Sequence, residues 1–172
     1  MSDLPQSGAV LVRRALLSDV LYIDSLRRSE SESIGFLPLA CYESCISGHG
    51  ADGRPNHRVL IAEANGDRVG FCYASPGAPG RPARVIQICI QPDARRIEYG
   101  RALIERVEGW AAAGQRSAVG CRVATDIEAG SFWDTLGYRV VGHLAGGTRR
   151  QRVLESRYRL LDCGLWSPVE VA

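Results

Sequence analysis

The stretch from Val85 to Ala113, VIQICIQPDARRIEYGRALIERVEGWAAA, constrains the fold of this chain more than any other. Residues 85–90 are an apolar, β-branched run, the pattern of a buried strand. Gln91-Pro92-Asp93 ends it, because proline removes a ladder donor and restricts the residue before it. A basic turn follows, Arg95-Arg96-Ile97-Glu98-Tyr99-Gly100. Leu103, Ile104, Val107, Trp110 and Ala111 then recur on one face of a long helical pattern. A strand that passes through a basic, glycine-bearing turn into a helix makes a cradle for an anion. The first backbone N–H groups of the helix have no partner within it, and its dipole favours negative charge there.

The rest of the chain supplies elements around this unit. Residues 9–15, AVLVRRA, read as a short strand. Ser18 and Asp19 are candidate caps for a helix carrying Val20, Ile23 and Leu26. Residues 27–33, RRSESES, are polar, and Gly35-Phe36-Leu37-Pro38 breaks the pattern. A second helix follows over 39–47, with Leu39, Tyr42, Cys45 and Ile46 as its apolar positions. Residues 58–63 and 69–74 read as the arms of a hairpin about Asn65-Gly66, a pair that tolerates positive φ. Residues 118–124 are strand-like. Thr125 or Asp126 can cap a short helix bearing Ala129, Phe132, Trp133 and Leu136, with Gly137 placed to end it. Residues 138–144 and 153–161 are further strands; in the second, Leu154, Ser156, Tyr158 and Leu160 alternate with Glu155, Arg157 and Arg159. The expected order is β, α, α, β, β, β, α, β, α, β, β. Residues 1–8 read as a disordered start, 9–161 as a single domain and 162–172 as a tail without assigned structure.

Composition narrows the function classes. With 45% hydrophobic and 23% charged residues in 172, the chain has a soluble globular balance. No apolar run has the length of a membrane span, and MSDLPQSGAV lacks the basic and apolar regions of a secretory signal, so a cytoplasmic protein is expected. The six cysteines, at positions 41, 45, 72, 89, 121 and 163, form no CxxC pair. Cys72, Cys89 and Cys121 lie inside apolar strand-like runs, so the cysteines read as buried thiols in a reducing compartment rather than disulfides or metal ligands. No metal is expected. A net charge of +2 is too small to argue for nucleic acid, and every basic residue is arginine.

The turn and helix resemble motif A of the Gcn5-related N-acetyltransferases, the GNAT family, which uses acetyl-coenzyme A. The family pattern is Arg or Gln, two residues, Gly, one residue, then Gly or Ala. Arg95 takes its first position and Gly100 its last, Arg101-Ala102-Leu103-Ile104 opens the helix, and Glu98 stands where the first glycine normally is. Residues 126–138, DIEAGSFWDTLGY, resemble the family's late segment Asn-x-x-Ala-x-x-Phe-Tyr-x-x-Leu-Gly-Phe. The order of elements matches over residues 9–161. The resemblance implies an α/β fold: a mixed, strongly twisted sheet of six or seven strands with helices on both faces. It implies acetyl-coenzyme A as cosubstrate. Ile88, Cys89 and Ile90 would bond the pantetheine arm from a strand splayed away from its neighbour. Arg95, Arg96, Ile97, Glu98, Tyr99, Gly100, Arg101 and Ala102 would surround the pyrophosphate, and Asp126 and Trp133 would lie beside the coenzyme. The acceptor would be an amine of a small molecule or peptide, met in the region of Glu30, Glu32, Phe36 and Tyr42. By analogy with relatives, a homodimer could pair through a sheet edge.

Amine acetylation poses a proton problem. An alkyl amine of pKa ~10.4 is only about 0.1% neutral near neutral pH, a handicap of roughly 4 kcal/mol. Gln87 is polar but no base, and Glu63 lies on a hairpin arm, so no general base is assigned. Trp133 occupies the position where many relatives carry a tyrosine acid, and indole cannot serve as one; a thiol of pKa ~8.5 leaves fairly well unaided. Asp126 replaces the usual Asn and can only accept hydrogen bonds when ionised. Cys89 has apolar neighbours and nothing beside it in sequence to form its thiolate.

Two other readings share this fold. One is a coenzyme-binding sensor that has lost catalysis, suggested by Glu98 and Trp133. The other is a toxin-like acetyltransferase acting on aminoacyl-tRNA through Arg149-Arg150-Gln151-Arg152, against which the low net charge and the missing tyrosine both stand. A Rossmann dinucleotide enzyme is the least favoured reading, since no GxGxxG follows an early strand.

Overall fold

The computed structural model describes residues 10–48, 56–95, 98–147 and 151–162. Along the chain these form β1 (Leu11–Arg14), α1 (Val20–Ser29), α2 (Leu39–Ile46), β2 (Arg58–Ala64), β3 (Asp67–Ser75) and β4 (Ala83–Ile90). Then come α3 (Tyr99–Ala113), β5 (Ala118–Ala124), α4 (Ala129–Thr135), β6 (Arg139–Ala145) and β7 (Val153–Leu160). The order is the one the sequence predicts, with 3-10 turns added at Leu17–Asp19 and Pro92–Ala94. The expected disordered start and nearly all of the tail lie outside the described residues.

Local chemistry sets the corners. Asn65 (φ 52°) and Gly66 (φ 87°) both take the left-handed conformation that a two-residue hairpin turn requires. Gly137 (φ 79°) ends α4: its N–H bonds Asp134 O at 3.0 Å, and the Tyr138 N–H bonds Trp133 O at 3.0 Å. That pair of bonds is a Schellman closure.

The strands form one seven-stranded mixed sheet in the order β1-β2-β3-β4-β5-β7-β6. β1 with β2, β5 with β7 and β6 with β7 are antiparallel; β4 with β5 is parallel. The long β5–β7 ladder runs from Ala118↔Leu160 to Ala124↔Leu154. The β4–β5 ladder is short: Ala83↔Val119 and Arg84↔Gly120. Among the described residues it goes no further.

Two compact units divide the chain, one from Met1–Tyr73 and Gln87–Ile104, the other from Ala74–Ile86 and Glu105–Ala172. In the first, Ile23, Leu26, Tyr42, Val59, Ile61, Phe71 and Tyr73 pack a core from α1, α2, β2 and β3. Asp19 is buried beside it. It takes the N-cap position of α1 that the sequence offered it, but its side chain makes no capping bond; its carboxylate instead accepts the Leu16 N–H at 2.7 Å and pairs with Arg13 at 2.7 Å and Arg68 at 3.2 Å. Burial alone would push this carboxyl up, but the Arg13 guanidinium and the Leu16 N–H outweigh it and hold the carboxyl below its usual range.

In the second unit, Val107, Ala111, Val119, Cys121, Trp133, Leu136 and Tyr138 are buried. Here the alternation in β7 misleads. Arg157 is buried and Leu160 is exposed. Arg157 donates to Asp134 at 2.6 Å, to Glu155 and to the Gly130 carbonyl, so its charge is matched where it lies.

Gly70 of β3 marks a backbone approach with no room for a methyl group. A Cβ there would sit 2.6 Å from the Cys89 carbonyl oxygen and 3.2 Å from Ile90 Cα. Gly109 of α3 meets nothing within 4 Å. We predict that Gly70→Ala lowers stability by about 1–3 kcal/mol, as overpacking does. Gly109→Ala should raise it by about 0.5–1 kcal/mol, as glycine removal from a helix interior does. Urea unfolding midpoints measure both, and equal midpoints for the two variants would refute the close approach.

Candidate functional site

The site is built on β4 and the turn after it. The sequence suggests a wholly buried strand, but only one face is buried. Ala83, Val85, Gln87 and Cys89 are buried, whereas Arg84 and Ile86 are exposed and Ile88 and Ile90 are half-buried. The two-pair ladder with β5 stops at Arg84, so the backbone polar groups of residues 85–90 are not taken up by a continued parallel pairing. At the far end the Gln91 N–H bonds Val69 O at 2.9 Å. Cys89 presents a thiol rather than a thiolate. Burial pushes its pKa up to about 12, and Glu30 adds to that push, against an opposing effect of Arg95.

The turn leads into a helix start of the kind the sequence implies. Tyr99 opens α3, and the Ala102 N–H makes a helical bond to Glu98 O at 2.9 Å. The N–H groups of Tyr99, Gly100 and Arg101 therefore precede that bond, and the helix dipole adds its positive end there. Gly100 is buried. Glu98, the departure from the glycine pattern, turns its side chain outward (73% exposed) and pairs with Arg101 at 2.6 Å. Its charge is thus matched by a neighbouring guanidinium. Arg95 bonds the Ile90 carbonyl at 3.2 Å and pairs with Glu30. Arg96 and Ile97 lie outside the described residues. The turn also walls a cleft of about 620 Å³ that includes Tyr22, Arg68, Gln91, Asp93, Ala94 and Tyr99. In its wall the Tyr22 hydroxyl has no hydrogen-bond partner among the described residues.

The four acceptor candidates separate. Glu30 follows α1 and is held by Arg95. Glu32 is exposed in the segment between α1 and α2. Phe36 is 81% exposed, with the Arg27 guanidinium 5.6 Å from its ring centroid, within cation–π range. Tyr42 is fully buried and belongs to the core. Its hydroxyl donates to Gln87 Oε1, and Gln87 Nε2 donates to the Gly35 carbonyl. This buried relay ties α2, the segment before it and β4 together. Sequence reasoning missed it, although a glutamine amid the apolar residues of β4 was its signal.

Asp126 and Trp133 belong to the second unit. Asp126 is exposed and pairs with Arg152 at 2.9 Å. Trp133 is buried edge-on against Tyr138, ring centroids 4.8 Å apart, and serves packing there. Neither Tyr42 nor Tyr138 is a ready acid: burial raises both, and the Tyr138 hydroxyl is occupied by Glu108 at 2.9 Å. Among the described residues no cluster of His, Cys, Asp and Glu could hold a metal, and no helix is long and apolar enough to cross a membrane.

A family profile described as acetyltransferase (GNAT) domain matches residues 55–140, half of the chain. No curated protein matches the chain. Solved structures share its fold. Ard1 from Thermoplasma volcanium superimposes with a TM-score of 0.74 at 17% identity, over 89% of this chain and 98% of its own. A ribosomal-protein-alanine N-acetyltransferase from Brucella melitensis gives 0.69 at 19% identity, over 88% and 99%. A spermidine N-acetyltransferase from Vibrio cholerae, in complex with CoA and spermine, gives 0.69 at 19% identity, over 88% and 95%.

The buried relay generates a prediction. Tyr42→Phe removes the donor to Gln87 and leaves a buried acceptor unmatched, which should cost about 1–3 kcal/mol in urea unfolding. A variant as stable as the wild type would mean that the Gln87 amide finds another partner.

Proposed function

The chain belongs to the GNAT family of acetyltransferase domains, and from that premise we propose that it transfers an acetyl group from acetyl-coenzyme A to an amine of a small molecule or peptide, by direct attack on the thioester. The observation that carries this reading is β4. Its ladder with β5 ends at Arg84, and the strand then leads through Arg95 into the start of α3. Strand backbone and helix N–H groups in succession suit a ligand with an amide-bearing arm and a diphosphate.

The residues present fit the coenzyme. Backbone groups of Ile88, Cys89 and Ile90 would bond its arm. The N–H groups of Tyr99, Gly100 and Arg101 would meet the diphosphate, with the Arg95 and Arg101 guanidinium groups beside them. Glu98 does not oppose this, since Arg101 balances it. Acetyl-coenzyme A, when bound, supplies an activated acetyl group and a thiol leaving group. Oriented backbone N–H groups stabilise oxygen charge that develops during the attack without reorganising to do so. Burial disfavours the Cys89 thiolate, so no covalent role is given to it. None of Tyr42, Tyr138 and Trp133 is given the role of acid; a thiol of pKa ~8.5 would leave fairly well unaided, and the proton lost by the amine would pass to solvent. Glu30 and Glu32 are the carboxylates on the acceptor side. Relatives in this fold include enzymes named for acting on a ribosomal protein alanine and on spermidine, which supports an amine acceptor.

Two outcomes test the proposal. Acetyl-coenzyme A at about 100 times its Kd should stabilise the protein by roughly 2.7 kcal/mol. That shift raises Tm by about 5–10 °C for a chain of this size. ATP should give no such shift; an absent shift with millimolar acetyl-coenzyme A would remove the reading. Cys89→Ala should retain turnover in an amine acetylation assay, and loss of activity in a folded variant would point to an acyl-cysteine route instead.

A further inference from the structure

Arg95 stands between two partners. Its Nε reaches the last carbonyl of β4, Ile90 O, at 3.2 Å, while its terminal nitrogen pairs with Glu30 just past α1. The two side chains differ in solvent contact: Arg95 is 47% exposed and Glu30 only 13%. Glu30 therefore relies on Arg95, whereas Arg95 is open to a second ligand. The pair lies beside Cys89 of β4, whose thiol feels both charges.

We propose that Arg95 is shared between Glu30 and the diphosphate of coenzyme A: Glu30 holds it in the free protein, the diphosphate takes it over on binding, and the released Glu30 carboxylate receives a cationic acceptor amine. The inference rests on the acetyltransferase reading and gives coenzyme binding a consequence at the acceptor position, through this one ion pair. A diphosphate offers more oxygens and more charge to a guanidinium fork than one carboxylate does. Glu30, whose pairing with Arg95 is exposed to solvent, then lacks the cation that held it until another replaces Arg95. An ammonium group is such a cation, and at Glu30 it lies on the β4 side of α1. Without coenzyme the same carboxylate is already satisfied, so an amine gains little by approaching it. The ion pair thus keeps the acceptor position closed until the acetyl donor is in place.

Calorimetric titration of the full chain tests the exchange. Coenzyme A should bind Glu30→Gln roughly two- to fivefold more tightly than wild type, the range expected when an exposed competing ion pair is lost. Arg95→Gln should bind it more weakly than wild type. Pantetheine, which lacks the diphosphate, should bind wild type and Glu30→Gln equally, and Glu43→Gln, an exposed carboxylate change on α2, should match wild type throughout. Spermine, used as the cationic probe, should bind wild type more tightly when coenzyme A is saturating, and Glu30→Gln should lose that dependence. Equal coenzyme A affinity in wild type and Glu30→Gln would overturn the sharing and leave acetyl transfer standing. Equal tightening with pantetheine would overturn the part given to the diphosphate. Spermine binding to wild type that ignores coenzyme A would overturn the release of Glu30. A wild type that binds no coenzyme A would overturn both the exchange and the reading beneath it.

Discussion

A β-strand carries hydrogen-bonding groups along both edges, and burial obliges each of them to find a partner. β4 meets that obligation unevenly. It sits between β3 and β5, yet its parallel ladder with β5 covers Ala83 and Arg84 alone. Beyond Arg84 that ladder does not continue among the described residues. Gly70 lets the β3 backbone come close to Cys89 and Ile90, a side chain at that position having no space. Gln91 closes the strand onto Val69 before the Pro92–Ala94 turn redirects the chain into α3.

Charge is managed by arginine pairing throughout. Arg13 and Arg68 hold Asp19, Arg157 is surrounded by Asp134 and Glu155, and Arg101 matches Glu98. The first two groups are structural: each has a member nearly removed from water and firmly bonded, so loss of a partner would strand a charge. In Arg101–Glu98 and Arg95–Glu30 neither member is as deeply buried as Asp19 or Arg157, so another anion can compete for the arginine.

Much of the fold was legible locally. The Asn65-Gly66 turn, the Gly137 helix stop and the apolar stripe of α3 each depend on residues within a few positions of one another. The β7 strand shows where this fails. Its alternation placed Arg157 with the outward charges, but α4 contributes Asp134 and a carbonyl at Gly130 from more than twenty positions away, and those partners make burial of the guanidinium tolerable. The same holds for Tyr42, whose hydroxyl finds its partner in Gln87, 45 residues on.

The sequence by itself determined the order of strands and helices, the basic turn before α3 and the likeness to a GNAT acetyltransferase, because periodicity, turn chemistry and short motifs are properties of neighbouring residues. Only the tertiary structure decided that the β4–β5 ladder goes no further than Arg84 among the described residues, that Glu98 pairs with Arg101, and that Arg95 pairs with Glu30 across 65 positions of chain. Those outcomes depend on which backbone edges and charges the fold brings within hydrogen-bonding distance, and no local pattern encodes that distance.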